Sequence, residues 1–104
     1  MPSWTPRILR RIREFAVAGN VRFTHKALYE LAALELGIDQ DDVLLLLQHL
    51  ESSDCSGRLR SSITNEWLYV FKPKVAATVL YLKVAIRQNC IVVSLHEDEE
   101  NGND

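Results

Sequence analysis

Thr78-Val79-Leu80-Tyr81-Leu82-Lys83-Val84-Ala85-Ile86-Arg87, followed by Cys90-Ile91-Val92-Val93-Ser94-Leu95-His96, decides the fold. Alternation with a period of two marks both stretches as strands, and the short gap at Gln88-Asn89 joins them as a hairpin. With a two-residue loop there, Arg87 opposes Cys90, Ala85 opposes Val92, Lys83 opposes Ser94 and Tyr81 opposes His96. Leu80, Leu82, Val84 and Ile86, with Ile91, Val93 and Leu95, then form the apolar face that helices must cover. Tyr81, Lys83, Arg87 and His96 are left on the open face. A third apolar run, Glu66-Trp67-Leu68-Tyr69-Val70-Phe71-Lys72-Pro73, reads as a strand over Trp67–Lys72, and Arg58–Ile63 as its neighbour across a turn at Thr64-Asn65.

Upstream of Ser52 the period becomes helical. Thr5-Pro6 reads as a cap with an early proline, and Ile8, Ile12, Phe15 and Ala16 recur at helical spacing before Gly19-Asn20. The other side of this helix is basic, with Arg7, Arg10, Arg11 and Arg13. After an extended Val21-Arg22-Phe23, Thr24 caps a second helix bearing Ala27, Leu28, Leu31 and Ala32, which Gly37 stops. Asp39 and Asp42 form a capping box at the head of a third helix, with Val43, Leu44, Leu46, Leu47 and Leu50. Ser52–Gly57 and Pro73–Ala77 read as loops. The fold class is therefore α+β: about three N-terminal helices packed on one face of a mainly antiparallel C-terminal sheet.

The 104 residues suit one domain, placed at 1–96, with an acidic tail over 97–104 expected to be disordered. Five of the fourteen acids lie in that tail, which has no Lys or Arg, so setting it aside turns the net charge of −2 into +3. From Ser56 to His96 the bases are Arg58, Arg60, Lys72, Lys74, Lys83 and Arg87, against Glu66 alone. Such a balance attracts phosphate, although a solvated sheet face gives the same composition. Two cysteines, Cys55 and Cys90, have no CxxC spacing, and His25 and His49 lack partners at metal spacing, so neither a metal site nor a cofactor is expected. No apolar run reaches the ~20 residues of a membrane helix and the start lacks a secretory core, which gives a cytoplasmic expectation with no membrane partner.

The succession of a helix, Val21-Arg22-Phe23-Thr24, two further helices, a Ser-Asp loop, Trp67-x-x-Val70-Phe71-Lys72-Pro73, Val79–Lys83 and Ile91–His96 resembles the MqsR family of bacterial toxins over about residues 5–97. The resemblance implies a fold related to RelE-like toxins and ribosome-independent cleavage of mRNA. It also implies a cognate MqsA-like antitoxin that joins a zinc-binding domain to a helix-turn-helix, so that DNA is met only through that partner. The family's proposed site has a lysine after the Ser-Asp loop, a glutamine after the strand tryptophan, a tyrosine, and a lysine at the end of the last strand. Tyr81 matches the tyrosine. Gly57 stands near the first lysine, where Arg58 or Arg60 could supply the cation, Leu68 replaces the glutamine, and His96 replaces the last lysine.

Metal-independent RNA cleavage needs a base for the 2′-hydroxyl, an acid for the leaving 5′-oxygen, and fixed positive charge around the phosphorane. On this reading the catalytic candidates are His96 for proton transfer, Tyr81 as its partner, and Lys83 and Arg58 for charge. Arg60, Arg87, Trp67 and Lys72 are the substrate-binding candidates, the tryptophan as a stacking platform for a base. The alternative is a non-catalytic nucleic-acid- or partner-binding regulatory module. A small hydrolase ranks below both, since there is no G-x-S-x-G and no phosphate-binding glycine loop.

Overall fold

The structure, a computed structural model, describes residues 2–99. Helix α1 spans Thr5–Val17, α2 His25–Ala33 and α3 Gln40–Gln48, and the strands are β1 Val21–Phe23, β2 Cys55–Arg60, β3 Trp67–Phe71, β4 Lys74–Val75, β5 Thr78–Ile86 and β6 Cys90–Glu97. The sheet runs β1-β6-β5-β3-β2, with β1 parallel to β6 and the remaining neighbours antiparallel. Helices α1 and α3 pack together, α2 lies along β6, and Ile12, Leu47, Phe71, Leu82, Val84 and Leu95 are fully buried between helices and sheet. The α+β expectation is met.

Two of the three helix starts follow their sequence signals. The Thr24 hydroxyl accepts from the Ala27 amide, and Asp39 and Asp42 cap each other's backbone at 2.9 and 3.0 Å. The first does not. Trp4 is the cap residue of α1, while Thr5 is buried inside the first turn with its hydroxyl 3.9 Å from Cys55 Sγ. Helix α2 ends at Ala33, short of Gly37, because Glu35 already adopts a positive φ of 58°.

The strands also shift from their expected bounds. Residues Ser52–Asp54 form one 3₁₀ turn and β2 begins at Cys55, with a bulge at Cys55/Gly57, so the second strand lies three residues earlier than Arg58–Ile63. Ile63 is left in the turn, 93% exposed. The stretch Pro73–Ala77 is no plain loop: Lys74 and Val75 pair with Val79 and Thr78 across a two-residue turn of Ala76 and Ala77, both at positive φ. Strand β6 continues through Glu97, and Asp98 is buried, so the folded body extends past residue 96. Residues 100–104, the rest of the acidic stretch, lie outside the described residues.

The last hairpin holds the main correction. Its turn has three residues, Arg87–Asn89, so Ile86 opposes Cys90 and Ala85 opposes Ile91, one residue away from the expected pairing. A β-bulge at Val93 then absorbs the slip, and beyond it Lys83 opposes Ser94 and Tyr81 opposes His96 as expected. The bulge also changes which side chains point inward. Cys90 and Val92 are buried before it and Leu95 after it, whereas Ile91 and Val93 are only half-buried.

Candidate functional site

Leu80, Leu82 and Val84 face the helices, so Tyr81 and Lys83 project from the opposite face of β5. One row of that face runs Gly57, Val70, Lys83 and Ser94 across four strands. The next row carries Tyr81 against His96, and Phe71 opposite Leu82 brings Lys72 alongside Tyr81. The two rings of the Tyr81–His96 pair stack, with centroids 5.0 Å apart and planes 8° apart. Beside them a cleft of about 280 Å³ is lined by Ser56, Gly57, Arg58, Leu59, Val70, Lys72 and Tyr81.

His96 has a defined orientation. Its Nδ1 lies 2.8 Å from the Glu97 carbonyl oxygen. A carbonyl can only accept, so Nδ1 carries the hydrogen and the neutral ring keeps its lone pair on Nε2. Lys72 lies 3.5 Å from the Asp98 carboxylate, which is 8% exposed. An acid of the expected tail is thereby tied to a lysine that lines the cleft.

Helix α2 anchors the bulged strand that presents His96. Thr24 donates from its amide to the Val92 carbonyl and from its hydroxyl to the Val93 carbonyl. Lys26 Nζ reaches Ser94 Oγ at 2.7 Å, and Glu30, bonded to Lys26 at 3.2 Å, accepts from the Leu95 amide at 3.0 Å. The Leu95 amide lies beyond the end of β1 and would otherwise be an unpaired edge donor. Sequence reasoning missed both Lys26 and Glu30. Their i, i+4 spacing signals a helix pair but not its strand partner.

The remaining candidates lie elsewhere. Arg58 opposes Tyr69 and Arg60 opposes Trp67, so both side chains share the helix side of the sheet. Trp67 lies there too. The Arg58 guanidinium carbon is 3.8 Å from the centre of the Trp67 ring and 5.0 Å from that of Trp4, and the Arg60 carbon is 3.9 Å from Trp67. Arg87 sits in the hairpin turn at the far end of β5, gripping Glu66 through Nη2 at 2.5 Å and Nε at 3.0 Å. That grip holds the Glu66 carboxyl below its ordinary range and raises Arg87. The structure thus gathers Tyr81, His96, Lys83 and Lys72 on the open face, sets Arg58, Arg60 and Trp67 on the other, and leaves Arg87 apart.

Beside His96, the other two departures from the family pattern become concrete. Leu68 opposes Leu59, which is 50% exposed, so an apolar ledge stands where an amide was expected. Gly57 has open space where a Cβ would stand but a φ of +126°, which an L side chain adopts only with strain. A lysine has room there but not the backbone.

Comparison with known proteins shows the family. The family described as "Motility quorum-sensing regulator, toxin of MqsA" matches residues 6–97. The mRNA interferase toxin MqsR of Escherichia coli (strain K12) is 31% identical over 90 residues, which are 86% of this chain and 90% of that protein. The match runs from the second residue of α1 to the last of β6, the elements that build the Tyr81–His96 face, and the chain belongs to the MqsR toxin family.

Proposed function

We propose that this protein is the toxin of a type II toxin–antitoxin pair, an endoribonuclease that cuts mRNA without ribosome or metal and so arrests translation. The observation that carries the reading is the Tyr81–His96 stack beside a cleft bordered by Lys72, on a sheet face that also presents Lys83. His96 Nε2 takes the proton of a ribose 2′-hydroxyl as that oxygen bonds to the adjacent phosphorus. The bond from phosphorus to the 5′-oxygen breaks, and the leaving oxygen receives a proton, for which the Tyr81 phenol is the nearest candidate. Products are a 2′,3′-cyclic phosphate and a free 5′-hydroxyl, so atoms and charge balance without a co-reactant. Lys83 and Lys72 face the charge that builds on the phosphorane. The Leu59–Leu68 ledge offers apolar contact to a base rather than hydrogen bonds.

The partner is an antitoxin, which family membership supports, and of the MqsA type, with a zinc-binding domain and a helix-turn-helix that meets DNA on the toxin's behalf. No helix among the described residues is long and apolar enough to cross a membrane, and mRNA as substrate fits a cytoplasmic setting.

The test is incubation of purified protein with a long mRNA in EDTA and without ribosomes. Cleavage to 2′,3′-cyclic phosphate ends is expected, falling by roughly 10²- to 10⁴-fold in His96→Ala, the usual contribution of a positioned proton-transfer group. Retardation of the RNA without cutting would instead support the binding module.

A further inference from the structure

The helix side of the sheet has a feature that the cleavage chemistry does not use. Helix α1 reaches the sheet through Trp4, which packs on Tyr69 at 5.3 Å and on the Arg58 guanidinium, and it meets the edge strand β2 near that strand's start, Thr5 at Cys55 and Trp4 at Arg58, leaving Arg60 exposed beyond it. Arg58 and Arg60 lie there on the indole of Trp67. An arginine flat on an aromatic ring keeps its in-plane N–H donors directed outward, where they suit a planar or bidentate acceptor.

Among the described residues almost no such acceptor meets them. Arg60 donates once, from Nη1 to the Asn65 carbonyl at 2.9 Å, and among the described residues neither guanidinium has a carboxylate partner. The Arg58 guanidinium makes no hydrogen bond among them. Of the flanking acids, Asp54 accepts from the Glu51 amide and Glu66 is held by Arg87. A guanidinium has five donors and no lone pair, so two of them fixed on one indole and left unmatched form an anion site. Arg7, exposed one turn after Trp4 on α1, extends the positive charge along the helix.

We propose that the Trp4–Arg58–Trp67–Arg60 stack is a second docking surface for single-stranded RNA, holding phosphates of the same strand whose scissile bond lies in the cleft on the opposite face. The strand would cross the β2 edge at Gly57, where Arg58 itself borders the cleft and no Cβ obstructs the passage. Interleaved rings and guanidiniums favour a nucleic acid over an acidic polypeptide, because successive bases also stack on such planes. This inference rests on the RNA-cleaving reading, but its test needs no cleavage.

Binding of 2′-O-methyl RNA, which lacks the attacking hydroxyl, is measured by fluorescence anisotropy against salt, for oligonucleotides of about 4 and about 16 nucleotides, the span of ordinary single-strand sites. Arg60→Ala removes an exposed side chain and Arg58→Lys keeps the charge while removing the fork. For the long oligonucleotide, each variant is expected to lose roughly ten-fold in affinity, the scale of one stacked or bidentate interaction. The slope of log affinity on log salt should flatten by about 0.7 for each phosphate no longer held, which is the Arg60→Ala case. The 4-mer should lose much less. Unchanged long-RNA affinity in both variants, with melting temperatures equal to the parent, overturns the inference and leaves the nuclease reading standing. Equal loss for poly-glutamate of matched charge overturns it as well, assigning the patch to acidic partners at large. Length-dependent loss in a protein that cuts no mRNA supports the surface and sinks the nuclease.

Discussion

Glu30 decides more about His96 than any residue of the open face. Its carboxylate oxygen fixes the Leu95 amide while its other oxygen holds Lys26, which in turn reaches Ser94. Those three interactions span the two residues before His96, and a shift of even 1 Å at a reacting group can cost about 10²-fold in rate. Glu30→Ala is expected to lower kcat by roughly that factor with KM little changed. Glu30→Gln, which keeps an oxygen for the amide, should recover most of it, and steady-state kinetics on an oligonucleotide substrate checks the split. Equal damage from both variants would move the role to the ion pair with Lys26. At this scale the sequence is readable for Tyr81 and His96 but not for their support. A lysine and a glutamate four apart on a helix are ordinary surface residues until the strand edge beside them is known.

Among the elements, the β4–β5 turn carries the clearest local conflict. A two-residue hairpin loop asks for positive φ at both positions, which asparagine and glycine tolerate and alanine does not. Ala76 and Ala77 adopt φ of 51° and 68° all the same. A non-glycine residue held there costs about 1–3 kcal/mol. Replacing Ala76-Ala77 with Asn-Gly should therefore stabilise the protein by about 1 kcal/mol or more, raising Tm by roughly 4–8 °C per kcal/mol in a domain of this size, as calorimetry would show. The same conflict explains why β4 is invisible in the sequence: Ala-Ala is no turn signal, so Pro73–Ala77 reads as a loop. Asp39 and Asp42, by contrast, announce α3 because a capping box depends only on local backbone donors. Strand β2 misleads in another way. Leu59 and Ile63 are apolar yet 50% and 93% exposed, because α1 meets this edge strand near its start, through Thr5 at Cys55 and Trp4 at Arg58, and farther along alternation no longer tells an inner face from an outer one.

At the level of the whole molecule, acid is expected to loosen the fold. The carboxyls of Glu66, through its hydrogen bonds from Arg87, and of Asp39, through the Asp42 amide, sit below their ordinary values of 4.5 and 3.8. A lowered folded value means that the unfolded chain takes up the proton first. The stabilisation is thus complete above the ordinary values and disappears as pH falls through the lowered ones. Tm should stay level near neutrality and drop below about pH 4.5, and Glu66→Gln should show a shallower drop at a cost of about 1 kcal/mol or less near neutrality, as partly exposed ion pairs do. A drop of identical steepness in Glu66→Gln would remove this pair as a contributor. Of the overall architecture, the helix count, the helix-covered sheet and the order of elements are legible from periodicity, because burial on one face imposes it. The sidedness of Arg58 and Arg60 is not.

The bulge at Val93 divides the last hairpin into two ladders with different masters. Pairs from Ile86 to Val84 answer to the three-residue turn, whereas those from Lys83 to Leu80 answer to Thr24, Lys26 and Glu30 on α2. The turn sequence can therefore drift, lengthen or be remodelled without re-phasing Tyr81 against His96. In evolutionary terms the joint insulates the reacting pair from its own hairpin tip, so relatives with unlike tips can share one alignment of these two positions.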